Sequence, residues 1–222
     1  MVVMTADATG STDGHLARAA LPTIGDLDGS GWFVDDPDDE LGSDDGPAGA
    51  LLDGCLPGSF PDDRRLAEAE VAFVRPGSSL VVALASVFHT PADAAEAWTA
   101  LIDEEFARRF AEAIAAEVTA EHDLESSDPD HRPIELLGPV VGPSAFTVER
   151  RGVRTAQQRA VFAGATDDAV TPVVLHGAVT SIGRTVVLVW AVDAGEDDDD
   201  AAWAQLVTRV EDRASSANLL DR

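Results

Sequence analysis

The sequence predicts an α+β fold: one antiparallel β-sheet of about six or seven strands, with a long central helix and a C-terminal helix packed on one face. Three observations predict it. VAFV (71–74) and LVVALASVF (80–88) flank Arg75-Pro76-Gly77-Ser78-Ser79, the pattern of a β-hairpin. A long stretch from Thr90 carries apolar residues at helical spacing. Five more apolar runs with short links then precede a last amphipathic stretch, as in an antiparallel meander.

Taken in order, residues 1–20 read as a flexible N-terminal tail, and HLARAALPTI (15–24), which runs from it into the domain, has the makings of a helical turn or two before Pro22 interrupts it. Residues 21–217 form the single folded domain, and 218–222 a short C-terminal tail. Within the domain, residues 35–63 are rich in Asp, Gly and Pro and read as an acidic surface segment with a small apolar patch around Leu51–Leu56. The hairpin follows. Thr90 is a good N-cap, Pro91 fits the first helical position, and Asp93 completes a T-x-x-D capping pattern. Trp98, Ile102, Phe106, Phe110, Ile114 and Val118 then make an i, i+4 ladder over 90–120, with acidic and Arg residues covering most of the other faces.

After Pro129 and Pro133 come the strand candidates IELL (134–137), AFTVER (145–150), QRAVFAG (158–164), VVLHGAVTSI (173–182) and RTVVLVWAV (184–192). Arg151-Gly152, Thr166-Asp167-Asp168 and Ser181-Ile182-Gly183-Arg184 supply the turns. In the last helix, 200–215, Trp203, Leu206, Val207 and Val210 form one stripe, and Asp199 or Asp200 caps the start and complements the helix dipole. No internal repeat of fixed period is present.

Charge is the outlying property. Among 222 residues, 41 are acidic and 15 basic, a net charge of −26, and every basic residue is Arg. Such a surface repels nucleic-acid backbones and anionic membranes, so neither is an expected partner. Part of this bias is what a GC-rich genome writes, since such coding favours Ala, Gly, Arg and Asp over Lys and Tyr. An apolar share of 45% is enough for a core and excludes wholesale disorder. No run of 18 apolar residues occurs, so no membrane insertion is expected. The N-terminus lacks a basic region followed by an apolar stretch. If Met1 is the natural start, the expected location is therefore cytoplasmic; a chain cut from a larger sensor protein would be extracytoplasmic.

GDLDGSGWFVDDPDD (25–39) has the alternation that opens a calcium loop, with Asp26, Asp28 and Ser30. Position 12 of such a loop, where a bidentate Glu belongs, is Pro37, and no helix pattern enters or leaves it. It reads better as an acidic turn that delivers Trp32 and Phe33 to the core. His15, His89, His122, His131 and His176 are scattered without ligand spacing, so no metal site and no cofactor are expected. Cys55 is the only cysteine and permits no intrachain disulfide. Its surroundings, DGCLPG, contain nothing cationic to activate a thiol. There is no G-x-S-x-G elbow and no phosphate-binding glycine loop, so no catalytic residue is assigned. One basic spot stands out around a predicted hairpin. Arg150, Arg151, Arg154 and Arg159 either pair with the chain's own acidic runs or anchor an anionic ligand or a partner carboxylate; Trp190 and Trp203 are candidate aromatic walls, or plain core.

Four stretches carry a family resemblance: LPTIGDLDGSGW (21–32), DGCLPG (53–58), SVFHTPADAAEAWTALIDEEFARRF (86–110) and VTSIGRTVVLVWAVDAG (179–195) with the helix after it. On these the chain resembles the PknH-like extracellular sensor domains of actinobacteria, and more distantly the PsbP/Mog1-like fold. Members of that family usually place a second cysteine in the long helix, where this chain has FARRF (106–110). The resemblance implies a non-enzymatic, sensor-like or accessory domain that takes a small ligand or a protein partner on its sheet or sheet–helix cleft. The alternative is an acidic partner protein, such as an immunity protein or secretion chaperone, that masks a basic protein by charge complementarity. An enzyme of unrecognised type is the third reading.

Overall fold

A computed structural model describes residues 11–27, 29, 31–34, 54–75, 79–125, 135–141, 146–150, 152–165, 170–194 and 200–220. Arg151, His131, Asp28, Ser30, most of the acidic segment 35–63 and the two extreme tails lie outside them. Among the described residues, eight strands form one antiparallel sheet: β1 (Phe33–Val34), β2 (Arg65–Arg75), β3 (Ser79–Phe88), β4 (Glu135–Val141), β5 (Phe146–Arg150), β6 (Val153–Ala165), β7 (Val170–Ile182) and β8 (Thr185–Ala194). Across the sheet they run β1-β2-β3-β8-β7-β6-β4, and β5 pairs with the same edge of β6 as β4. The helices among the described residues are α1 (Thr12–Ala20), α2 (Pro91–Leu101), α3 (Glu104–Glu125) and α4 (Asp200–Leu220).

The α+β class and the single antiparallel sheet are as the sequence predicts. The helices, however, do not share a face. Alternate residues of each strand point to opposite sides, and here both sides are covered. Val82 and Leu84 of β3, with Val186, Leu188 and Trp190 of β8, pack with Trp98 and Leu101 of α2 and with Phe106, Phe110 and Ile114 of α3. Val81, Ala83 and Ala85, with Val187 and Val189, pack instead with Leu16 and Ala20 of α1 and Trp203, Leu206 and Val210 of α4. The physical reason lies in β3 and β8 themselves. They are apolar at nearly every position, and such strands need cover on both faces.

The helix expected over 90–120 is two helices. Thr90 caps α2 as expected, its Oγ1 accepting from Asp93 N at 3.2 Å with Pro91 in the first turn. α2 stops at Ile102 (φ −94, ψ 0). Asp103 then restarts the chain, its Oδ1 accepting from the amides of Glu105 and Phe106 at 3.0 and 3.2 Å, as an N-cap does. The helical turns expected in HLARAALPTI before Pro22 are present as the end of α1, which starts upstream of that stretch. α1 begins at Ser11, whose hydroxyl accepts from Gly14 N at 3.0 Å, and it buries Leu16, Ala17 and Ala20. The stretch after the acidic turn contributes the short edge strand β1. Trp32 packs on the α1–α4 core, but Phe33 is 57% exposed rather than delivered into it.

Candidate functional site

Arg154 and Arg159 stand on β6 with odd spacing, so they point to opposite faces of the sheet. The Arg154 guanidinium lies 4.9 Å from the ring centre of Trp98 on α2, a cation–π contact. On the other face, Arg159 Nε lies 3.9 Å from Asp200 Oδ1 at the start of α4. Arg150 ends β5, paired across the hairpin with Val153. The arginine group is therefore divided by the sheet, and its two described side chains engage helices of the protein itself.

The tryptophans divide in the same way. Trp190 is buried beneath α3, edge-on to Phe110 at 6.1 Å and 81°. Trp203 projects from α4 and is buried between that helix and the sheet; its Nε1 donates to Gln157 Oε1 at 3.2 Å, and its ring stacks on His176 at 5.2 Å. His176 is thus a packed core histidine.

One recess combines predicted and unpredicted residues. It lies between the α2–α3 corner and β6, β7 and β8, walled by Leu101, Phe106 and Phe110 above and by Leu175, Leu188 and Trp190 below. Including its open mouth, it spans about 430 Å³; only the innermost part is enclosed, with room for about one water-sized occupant. Gly177 sits in its floor, directly across from Gln158 on β6 and Trp190 on β8. A glycine inside a strand often marks a close approach, and here it leaves the floor open: a Cβ at this position would meet nothing nearer than Gln158 Cβ at 3.9 Å. Gln158 and Arg159 are the polar residues among the lining, and Arg159 reaches toward α4. Among the described residues, the lining contains no Ser, Thr, Cys, His, Asp or Glu.

Two polar centres lie elsewhere and tie elements together. Near the start of α2, Arg64 donates to Asp93 Oδ1 at 2.6 Å and to Glu96 Oε2 at 2.5 Å. The Thr90 hydroxyl, donating to Asp93 Oδ2 at 2.6 Å, is the main cause that holds the Asp93 carboxyl below its ordinary range; burial opposes it, and Arg64 adds to it. At the opening stretch, Asp26 Oδ2 accepts from Thr23 N at 2.7 Å, Thr23 Oγ1 at 2.9 Å and Arg213 Nε at 2.5 Å. Arg209 adds a bond to the Asp26 carbonyl at 2.5 Å. Asp26 is a clasp between the first turn and α4. Among the described residues, no three His, Cys, Asp or Glu gather in a metal-binding arrangement.

Cys55 is buried, with Sγ 3.9 Å from the carbonyl of Arg109 on α3. Burial pushes its thiol up, against the opposing charge of Arg109, so it is held in the unreactive form.

No family model and no curated protein matches the chain. Two solved structures are similar in outline. The extracellular domain of PknH from Mycobacterium tuberculosis is 11% identical, covering 91% of this chain and 96% of its own, with a TM-score of 0.42. An uncharacterised protein from Mycobacterium smegmatis is 14% identical, covering 92% and 95%, with a TM-score of 0.38. At these values neither likeness transfers an activity or a ligand. No helix among the described residues is long and apolar enough to cross a membrane.

Proposed function

We propose that this chain is a non-enzymatic binding domain, sensor-like or accessory in role, that takes a small apolar ligand in the recess between the α2–α3 corner and the sheet. The recess carries the reading. It is concave and walled by Leu, Phe and Trp side chains, the usual character of a small-molecule site. Among the described residues it offers no nucleophile and no carboxylate or imidazole for acid–base work, which favours binding over catalysis. Its two sides are built differently. The floor is the centre of the sheet, whereas one wall is α3, which joins α2 through the Ile102–Asp103 break. A ligand larger than a water molecule enters by swinging that wall outward.

The test is a fluorescence titration with N-phenyl-1-naphthylamine, a neutral apolar probe. Saturable enhancement at one probe per chain, with quenching of tryptophan emission, is expected. Gly177→Leu fills the floor without backbone strain and should weaken the probe at least tenfold while thermal unfolding stays cooperative. A non-saturating signal, or undiminished binding in that variant, overturns the reading. Capture of a basic protein with steep salt dependence would favour the acidic-partner alternative instead.

A further inference from the structure

Resting on that reading, we infer the chemical class of the ligand: an uncharged amphipath, an apolar chain or ring bearing a single hydrogen-bonding group, with that group placed at Gln158. Gln158 shares the α2–α3 face of β6 with Ala156 and Ala160, both of which belong to the core on that side. It is half-buried, and its amide meets no hydrogen-bonding partner among the described residues. On a partly buried residue, an amide without a partner among the described residues is best completed by a group that both donates and accepts, such as a hydroxyl or another amide.

The same surroundings exclude a charged head. Arg159, the charged residue of the lining, sends its guanidinium to the opposite side of the sheet, toward Asp200. Arg154 is on the correct face but lies over the Trp98 ring and is not part of the lining. A carboxylate or ammonium brought into this recess would lose its water without gaining a counter-charge, which costs far more than burying a hydroxyl. The net charge of −26 opposes an anion further as it approaches. It would attract a cation to the surface, but that attraction does not extend to a recess lined without a carboxylate.

Competition among three ligands of equal chain length tests this. In 0.3 M NaCl, bound N-phenyl-1-naphthylamine is displaced by 1-decanol, sodium decanoate or decylammonium chloride, each kept below the concentration at which it aggregates. Decanol should displace the probe at a concentration at least tenfold lower than either ion. Gln158→Leu, with the probe's affinity for that variant measured by direct titration and used to convert displacement into affinity, should weaken decanol by roughly tenfold, the worth of one partly buried hydrogen bond. Equal or better displacement by decanoate or decylammonium overturns the inference, as does a Gln158→Leu protein that holds decanol undiminished. Failure of the probe and of decanol to bind at all overturns the parent reading, and this inference with it.

Discussion

At the scale of single residues, the acidic opening stretch shows how one carboxylate can be mistaken for something else. Asp26 has the position and neighbours of a calcium ligand in the sequence, yet its Oδ2 is already filled by Thr23 and Arg213. Burial alone pushes its carboxyl up; the hydrogen bonds from the Thr23 amide, Arg213 and the Thr23 hydroxyl outweigh it, and the net direction is down. A carboxylate depressed in the folded state contributes stability that is present above its unfolded value and lost as pH falls through its folded value. Asp26→Asn should therefore cost about 1 kcal/mol at pH 7, after allowance for solvent screening of a surface clasp. The deficit should shrink as pH falls below about 4, the ordinary carboxylate range. Urea unfolding of both proteins at pH 7 and pH 3 measures this, and a deficit equal at both values would show that the carboxylate charge is not what the clasp uses. The sequence made Asp26 visible, but not its partner, because Arg213 comes from the far end of the chain.

At the scale of elements, the α2–α3 corner is the feature on which the proposed function depends. Asp103 caps α3 through two amide hydrogen bonds, so Asp103→Ala should destabilise the fold by about 1 kcal/mol. The loss should be local. Hydrogen exchange should accelerate at the amides of Glu105 to Phe110 and stay unchanged in β3 and β8. Uniform acceleration would mean that α3 opens only with the whole fold. The elements were largely legible beforehand. The hairpin, the Thr90 cap, the strands from 135 onward and the last helix all follow from periodicity and turn chemistry. The break at Ile102–Asp103 did not show, because the i, i+4 ladder from Trp98 to Ile114 continues on one face through it. The placement of α4 also escaped, although its signal was in the chain. LVVALASVF and TVVLVWAV do not alternate, and non-alternating strands are covered on both sides.

At the scale of the whole molecule, 41 acidic residues against 15 arginines make the folded state a concentration of like charge. Screening relieves that repulsion more than it weakens the few partly buried pairs. Raising NaCl from 20 mM to 500 mM should therefore raise the midpoint of thermal unfolding; a fall would mean that the pairs of Arg64 with Asp93 and of Arg213 with Asp26 dominate. The candidate recess was the least legible feature of all. Its walls come from α2, α3, β6, β7 and β8, and no local pattern reports a cavity assembled across such separations. Gly177 and Trp190 were individually visible, but not their position opposite each other. Strand order has one more consequence. β8 lies between β3 and β7, and among the described residues its nine-residue register with β3 is the only strand pairing that joins β1, β2 and β3 to the rest of the sheet. During synthesis, β3 has no partner on that side from the time Phe88 leaves the ribosome until Thr185 to Ala194 have followed. For that interval a growing chain carries a bare edge on a largely apolar strand, and a ribosome that stalls before β8 releases a fragment primed to associate with others like itself.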